Sequence, residues 1–267
     1  MPPPEYTLDS GSAEIRRLRA QSDAMKGEAA VMLDRIGIAR GWRCAELGCG
    51  TGGVMDLLSQ RVGPAGHVLG LDRDPENLDA ARRLTAHLGN VDFVDAGILD
   101  NDLPDDSFDF VHIRFVLTIV GQNEAMIAAA ARLVKPGGIL ALEEGDGSGI
   151  NCFPPNEAFI KLRNSLFTLF SEVGDPMAGR RTFGQLRHAG FEDVNFRPCR
   201  AGARSTDDMA MYLPETIRSV REALLARAIF TAEELADNLA ACEAHLRDPD
   251  TISTHIGVFQ VWGRKPV

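Results

Sequence analysis

Eight residues, Glu46-Leu47-Gly48-Cys49-Gly50-Thr51-Gly52-Gly53, constrain this chain more than any other stretch. They follow a short apolar run, Arg43–Leu47, and precede a helical pattern, Val54–Val62. Closely spaced glycines let the backbone turn tightly and let a ligand approach without a Cβ in the way. A glycine turn between a strand and a helix lies at the carboxyl end of that strand, where open α/β sheets bind ligands.

The flanking sequence repeats the strand-then-helix alternation. His67–Asp72, Val91–Val94, Phe108–Ile113 and Ile139–Glu143 read as strands; Pro75–Leu88 and Asn123–Leu133 read as helices. Such alternation implies crossover connections and an open, doubly wound, mostly parallel α/β sheet in the first 146 residues. Helical spacing of Ile15, Leu18, Met25, Val31, Met32 and Ile36 predicts a helix over 13–37. Beyond the sheet, Asn156–Val173 and Thr182–Ala189 read as helices, the latter with Thr182 as N-cap. Asp193–Arg197 reads as a strand, 206–247 as almost wholly helical, and Ile256–Arg264 as a further strand.

Charge and cysteine usage narrow the classes. A net charge of −10 repels phosphate backbones, so nucleic acid is disfavoured as the main partner. Arg16, Arg17 and Arg19 beside Glu14 read as a solvated helix face. Five cysteines without C-x-x-C spacing argue against a zinc ribbon or a disulfide framework, and no metal is expected. No apolar run reaches the ~18 residues of a membrane span. The first residues lack the pattern of a signal peptide. The expectation is a soluble, cytoplasmic protein.

The glycine turn alone leaves two cofactor classes open. Gly48, Gly50 and Gly53 satisfy G-x-G-x-x-G, and Asp72 lies 24 residues after Gly48 at the end of the second strand. A carboxylate there accepts hydrogen bonds from ribose hydroxyls. A nicotinamide dinucleotide and S-adenosylmethionine both carry that ribose. Glu46 favours the second, since a carboxylate repels pyrophosphate and attracts a sulfonium and an ammonium.

Four segments in order resemble the class I S-adenosylmethionine-dependent methyltransferases, the group that includes the ubiquinone/menaquinone C-methyltransferases. They are Glu46–Gly52; Leu69-Gly70-Leu71-Asp72-Arg73-Asp74; Leu103–Val111 leading into Arg114-Phe115-Val116-Leu117; and Leu133–Leu140. The resemblance covers about 40–146. It implies a Rossmann-like, seven-stranded sheet with a helical lid at 1–37 and a methyltransferase domain at 38–267. That domain divides into a core of 40–146, 182–200 and 254–265 and helical cap insertions at 150–180 and 201–250. It implies S-adenosylmethionine as cofactor, with Glu46, Gly48 and Gly50 flanking its methionine part. Asp72 would take the ribose hydroxyls and Arg73 would lie along the adenine. Arg114 would stand near the methionine carboxylate or the substrate. Where the family usually carries an acidic pair, this chain has Ala96-Gly97. Asp95, Asp100 or the backbone of Gly97 and Ile98 are the replacements for the adenine contact. Tyr6 and Gln21 would close over substrate and cofactor.

A sulfonium methyl is already activated, so in-line transfer requires alignment and exclusion of water. A base is needed only for a protonated nucleophile. Glu143, Glu144 and Asp146 at the end of the fifth strand are the carboxylate candidates, with Glu144 and Asp146 foremost. His112, His188 and His255 are further candidates. Phe153, Phe159, Phe167, Phe170, Met177, Met209, Met211 and Tyr212 would supply an apolar wall, and Arg180, next to Arg181, would meet an anionic group. The expected function is methyl transfer to a small organic acceptor in quinone-like or secondary metabolism. Two alternatives stay open: a protein of this fold that binds the cofactor without methylating, and a nicotinamide-dependent oxidoreductase. Arsenite methylation is disfavoured by the cysteine pattern. The helical insertions serve as a cover over the sheet edge or as a homodimer surface, and the sequence does not separate the two.

Overall fold

A computed structural model describes residues 25–172 and 174–267, the side chain of Asp208 excepted. Tyr6 and Gln21 and most of the expected lid lie outside the described residues. A helix, α1, spans 25–36.

Eight strands form one sheet among the described residues. Five are mutually parallel, in the order β3 (Val91–Asp95), β2 (His67–Asp72), β1 (Arg43–Leu47), β4 (Phe108–Arg114) and β5 (Val134–Asp146). The reversal of direction on either side of β1 makes a crevice at its carboxyl end, the place where such sheets bind ligands. β8 (Ile252–Arg264) pairs antiparallel with β5 over Ile139–Asp146. Its other side carries β7 (Glu192–Arg204), also antiparallel.

The expected seven strands are joined by a short eighth, β6 (Asn151–Phe153), which continues along β8 beyond the end of β5. β7 and β8 are longer than their apolar alternation indicated. β7 is an edge strand with alternating exposed residues, so its outer half carries little hydrophobic signal. The core boundary therefore falls after Arg204 rather than at residue 200.

The two sheet faces differ. Ala45, Leu47, Val111, Ile113, Leu140, Leu142 and Val261 pack in one apolar cluster with α5 (Asn123–Leu133) and α7 (Ala178–His188). On the opposite face, Cys44, Phe110, Ile139 and Ala141 pack with Ala29, Met32 and Leu33 of α1 and with α2 (Met55–Val62). Period-two alternation puts Glu46, His112, Arg114, Glu143 and Gln260 on this second face. All five are buried. That face is apolar toward the amino ends of the parallel strands and polar toward their carboxyl ends.

Outside the sheet, α6 (Glu157–Phe170), α8 (Tyr212–Ser219), α9 (Arg221–Ala226) and α10 (Ala232–Leu246) build a separate apolar cluster around Leu162, Leu166, Leu213 and Leu224. Asn156 caps α6 through Phe159 N at 2.9 Å, and Thr231 with Glu234 forms a reciprocal capping box on α10. The stretch 206–247 is thus several short helices, not one run. α7 starts four residues before the expected Thr182 cap. Thr182 is buried inside the helix, and its hydroxyl donates to Gly179 O at 2.7 Å. A threonine hydroxyl satisfied by the preceding turn is compatible with a helix interior. No helix among the described residues is long and apolar enough to cross a membrane.

Candidate functional site

The carboxyl ends of β1, β2 and β4 open into a cavity of about 880 Å³ that continues under the α6 and α8 helices. Of the residues expected around the cofactor, Glu46, Gly48, Gly50, Asp72, Arg73, Ala96, Gly97, Ile98 and Arg114 line it.

The glycine turn is shaped by the positions it must occupy. Gly48 and Gly50 have φ of +73° and +51°, in the left-handed region that side chains disfavour. A Cβ on Gly48 would stand 2.5 Å from Val116 Cγ2. Nothing lies within 4 Å of a Cβ position on Gly50, so the backbone there faces open space. Asp72 fastens the turn: Gly50 N donates to its Oδ2 at 2.7 Å and Asp74 N to its Oδ1 at 3.0 Å. Each oxygen keeps a further acceptor position. Burial pushes the Asp72 pKa up, the amides of Asp74 and Gly50 oppose it, and the net shift is upward.

Two charged side chains on β1 and β4 reach the cavity from the polar face. Glu46 Oε2 meets His112 Nδ1 at 2.7 Å, and His112 Nε2 is buried with no hydrogen-bond partner among the described residues. Arg114 donates through Nε to Glu143 Oε1 at 2.6 Å, and its guanidinium lies 5.0 Å from the ring centre of Phe115. Beside Ala96 and Gly97, Asp100 lines the cavity and Asp95 does not. Of the two acidic replacements considered for the missing pair, only Asp100 is therefore brought to the site.

The carboxylate candidates at the end of β5 are placed elsewhere. Glu144 turns to the opposite face from Glu143. It accepts from the amides of Val116, Leu117 and Thr118 and from the Thr118 hydroxyl, at 2.8–3.2 Å. It thereby anchors the wall segment that includes α4 (Leu117–Val120). Burial raises its pKa to about 7 against those four bonds. Asp146 is paired with Arg180 at 2.6 Å and accepts from Ser148. None of Glu143, Glu144, Asp146 and Arg180 lines the cavity. Arg181 is likewise paired, with Asp175. The expectation of a base on β5 and an anion contact at Arg180 is thus not met by their positions: their polar atoms already serve the protein's own backbone and ion pairs.

The cap side of the cavity is apolar. Ile150, Leu166, Phe167, Phe170, Pro176 and Ile256 line it, with Tyr212 and Thr216 as its polar side chains. Of the expected wall, Phe167, Phe170 and Tyr212 are in place. Phe159 is in the α6 core, Phe153 is exposed, and Met177, Met209 and Met211 do not line the cavity. Sequence reading missed Thr216 and Ile256, which no local pattern distinguishes from core. His255 lies outside the lining but stacks on Tyr212 with ring centres 5.1 Å apart, and burial lowers its pKa.

Comparison with known proteins agrees with this geometry. Residues 45–138 match the methyltransferase domain family. The chain is 33% identical over 137 residues to an uncharacterized 37.1 kDa protein in a transposon of Streptomyces fradiae, covering 51% of this chain and 40% of that one. It is 28% identical over 150 residues to the demethylmenaquinone methyltransferase of Staphylococcus aureus, covering 56% and 58%. The chain thus spans about half the length of these curated relatives. A SAM-dependent methyltransferase from Aquifex aeolicus superposes with a TM-score of 0.53 at 22% identity, over 71% of this chain and 92% of that one. Residues 45–138 thus resemble a methyltransferase domain, on a fold shared with S-adenosylmethionine-dependent methyltransferases. The residues present fit that cofactor: a turn with glycine at 48, 50, 52 and 53, a carboxylate, Asp72, fixed beside it, and one acidic and one basic side chain, Glu46 and Arg114, at the ends of β1 and β4.

Proposed function

We propose that the protein transfers the methyl group of S-adenosylmethionine to a small organic acceptor seated in the apolar, helix-capped half of the cavity. One observation carries the reading. A single continuous space holds its charged side chains, Glu46, Asp72, Arg73, Asp74, Asp100 and Arg114, at the sheet edge and its aromatic and aliphatic ones under the cap. When bound, the cofactor supplies an activated methyl group that needs no proton transfer to leave. Asp72 orients the ribose, Glu46 attracts the ammonium and sulfonium, and Arg114 faces the carboxylate. Asp100 takes the adenine amino group.

Leu166, Phe167, Phe170 and Ile256 exclude water and fix the acceptor by shape. Tyr212 and Thr216 give it direction through hydrogen bonds. Since the β5 carboxylates are turned away, the reading favours an acceptor whose nucleophile needs no base from that strand. The acidic surface disfavours nucleic acid, and we place the protein in cytoplasmic small-molecule metabolism.

Calorimetric titration with S-adenosylmethionine and S-adenosylhomocysteine tests the site, with Asp72→Ala alongside. Loss of two charge-assisted hydrogen bonds should weaken binding by roughly 100-fold or more. A labelled-methyl screen of small aromatic and quinone-like acceptors then tests transfer. No binding by folded wild-type protein overturns the reading. Tight binding without transfer to any acceptor class turns it to a cofactor-binding protein that does not methylate.

A further inference from the structure

On the α1 face of the sheet, strand register sets four long polar side chains side by side. Arg114 on β4 is opposite Glu143 on β5, Glu143 is opposite Gln260 on β8, and Gln260 is opposite Arg197 on β7. They are joined in series. Arg114 Nε donates to Glu143 Oε1 at 2.6 Å, and Gln260 Nε2 donates to Glu143 Oε2 at 2.8 Å. Arg197 Nη1 donates to Gln260 Oε1 at 2.8 Å, and Arg197 Nη2 donates to Glu28 of α1. Only Arg114 in this row lines the cavity.

The row is costly as a purely structural device. Glu143 and Gln260 are fully buried and Arg114 nearly so. Taking an ion pair out of water costs more than apolar side chains of like volume would. What the arrangement gains is orientation. Both Glu143 oxygens are held, one from each neighbouring strand, so the carboxylate cannot rotate. Its bond to Nε then fixes the plane of the Arg114 guanidinium. Gln260 is the one uncharged member, and its amide lets a donor face Glu143 while an acceptor faces Arg197.

We propose that Gln260 and Arg197 are positioning residues. They hold Glu143, and through it they hold Arg114 in the orientation that receives the carboxylate of an amino-acid-bearing nucleoside. The proposal rests on the cofactor reading above. Its consequence is selectivity for the amino-acid arm of the ligand, set by residues on the two antiparallel strands that the ligand never touches. Glu28 ties the same row to α1, so the packing of that helix is coupled to the carboxylate subsite.

The test is calorimetric titration of the full chain with two ligands. S-adenosylhomocysteine has the amino-acid arm; 5′-methylthioadenosine keeps the adenosine and thioether and lacks the arm. Gln260→Leu should raise the Kd for S-adenosylhomocysteine about tenfold, the scale of one weakened charge-assisted hydrogen bond, and leave that for methylthioadenosine within about twofold. Arg197→Met, on the partly exposed edge strand, should act in the same direction with a smaller effect and decides the matter if Gln260→Leu does not fold. Equal loss of both ligands would mean a general structural role and overturn the proposal, as would unchanged S-adenosylhomocysteine affinity in a folded variant. Wild-type protein that binds S-adenosylhomocysteine no tighter than methylthioadenosine overturns the proposal alone. Wild-type protein that binds neither overturns the cofactor reading and this proposal with it.

Discussion

His112 Nδ1 and Glu46 Oε2 meet at 2.7 Å in the buried polar half of one sheet face. Burial alone would lower the His112 pKa. The Glu46 charge and hydrogen bond outweigh it, Glu143 adds to them, and the net shift is upward. A histidine with a raised folded pKa contributes stability that is fully present below its unfolded value and lost as pH rises through the folded one. His112→Asn keeps a donor toward Glu46 without the titration. The difference in urea midpoint between wild type and this variant should therefore be largest on the acid side of about pH 6.5 and shrink in alkali. A difference that stays flat across that range would count against the pair as a titrating unit.

Gly48 cannot become alanine cheaply. The left-handed φ costs about 1–2 kcal/mol for any side chain. Contact of the new Cβ with Val116, 2.5 Å from Cγ2, adds overpacking of about 1–3 kcal/mol. Gly48→Ala should lower stability by the sum and weaken cofactor binding. Val116→Ala in the same chain should recover the packing part and not the backbone part. Denaturant midpoints of the two single variants and the double variant check this, and simple additivity would refute it.

Phe167 faces the cap side of the cavity, away from the charged sheet edge. Phe167→Ala should leave the Kd for S-adenosylhomocysteine within about twofold and lower kcat/KM for the acceptor about tenfold or more, since a large apolar contact is removed from that half alone. Equal damage to cofactor affinity would show that the two halves are not separable as drawn.

Arg180 is paired with Asp146 at 2.6 Å. Burial would raise the Asp146 pKa, but the hydrogen bonds from Arg180 and Ser148 and the Arg180 charge bring it below its ordinary value. A depressed carboxyl contributes stability present above its unfolded pKa and lost as pH falls through the folded one. Arg180→Ala should therefore move the acid-unfolding midpoint to higher pH while leaving the acceptor KM unchanged. A raised KM with unchanged acid stability would return Arg180 to the binding role that its sequence position suggested.

What could be read from sequence was what local spacing determines. The glycine turn, Asp72 at the end of the second strand and Arg114 at the end of the fourth are each fixed by a short motif, and all reach the cavity. Glu144 was not legible as an anchor. Its partners, Val116 to Thr118, come from another strand-end turn, and only the register of β4 against β5 brings them together. Thr182 misled because a threonine before an amphipathic run suits an N-cap as well as a helix interior. Arg197 carried no signal at all: its bond to Glu28 spans 169 positions of sequence, and an edge strand tolerates arginine without comment.

Among the described residues β8 is the one strand flanked on both sides by antiparallel partners, and it pairs with β5 across a gap of more than 100 residues, as at Glu143 and Gln260. The five parallel strands can assemble from a contiguous stretch of chain, but the β5 edge has no covering until β8 is made and inserted. During synthesis the nascent protein must therefore pass through a stage with a half-built sheet whose open edge invites pairing with other chains. The same insertion that covers the β5 edge brings Ile256 to the cavity and Gln260 to Glu143, so the sheet edge and the cavity wall are completed by one strand.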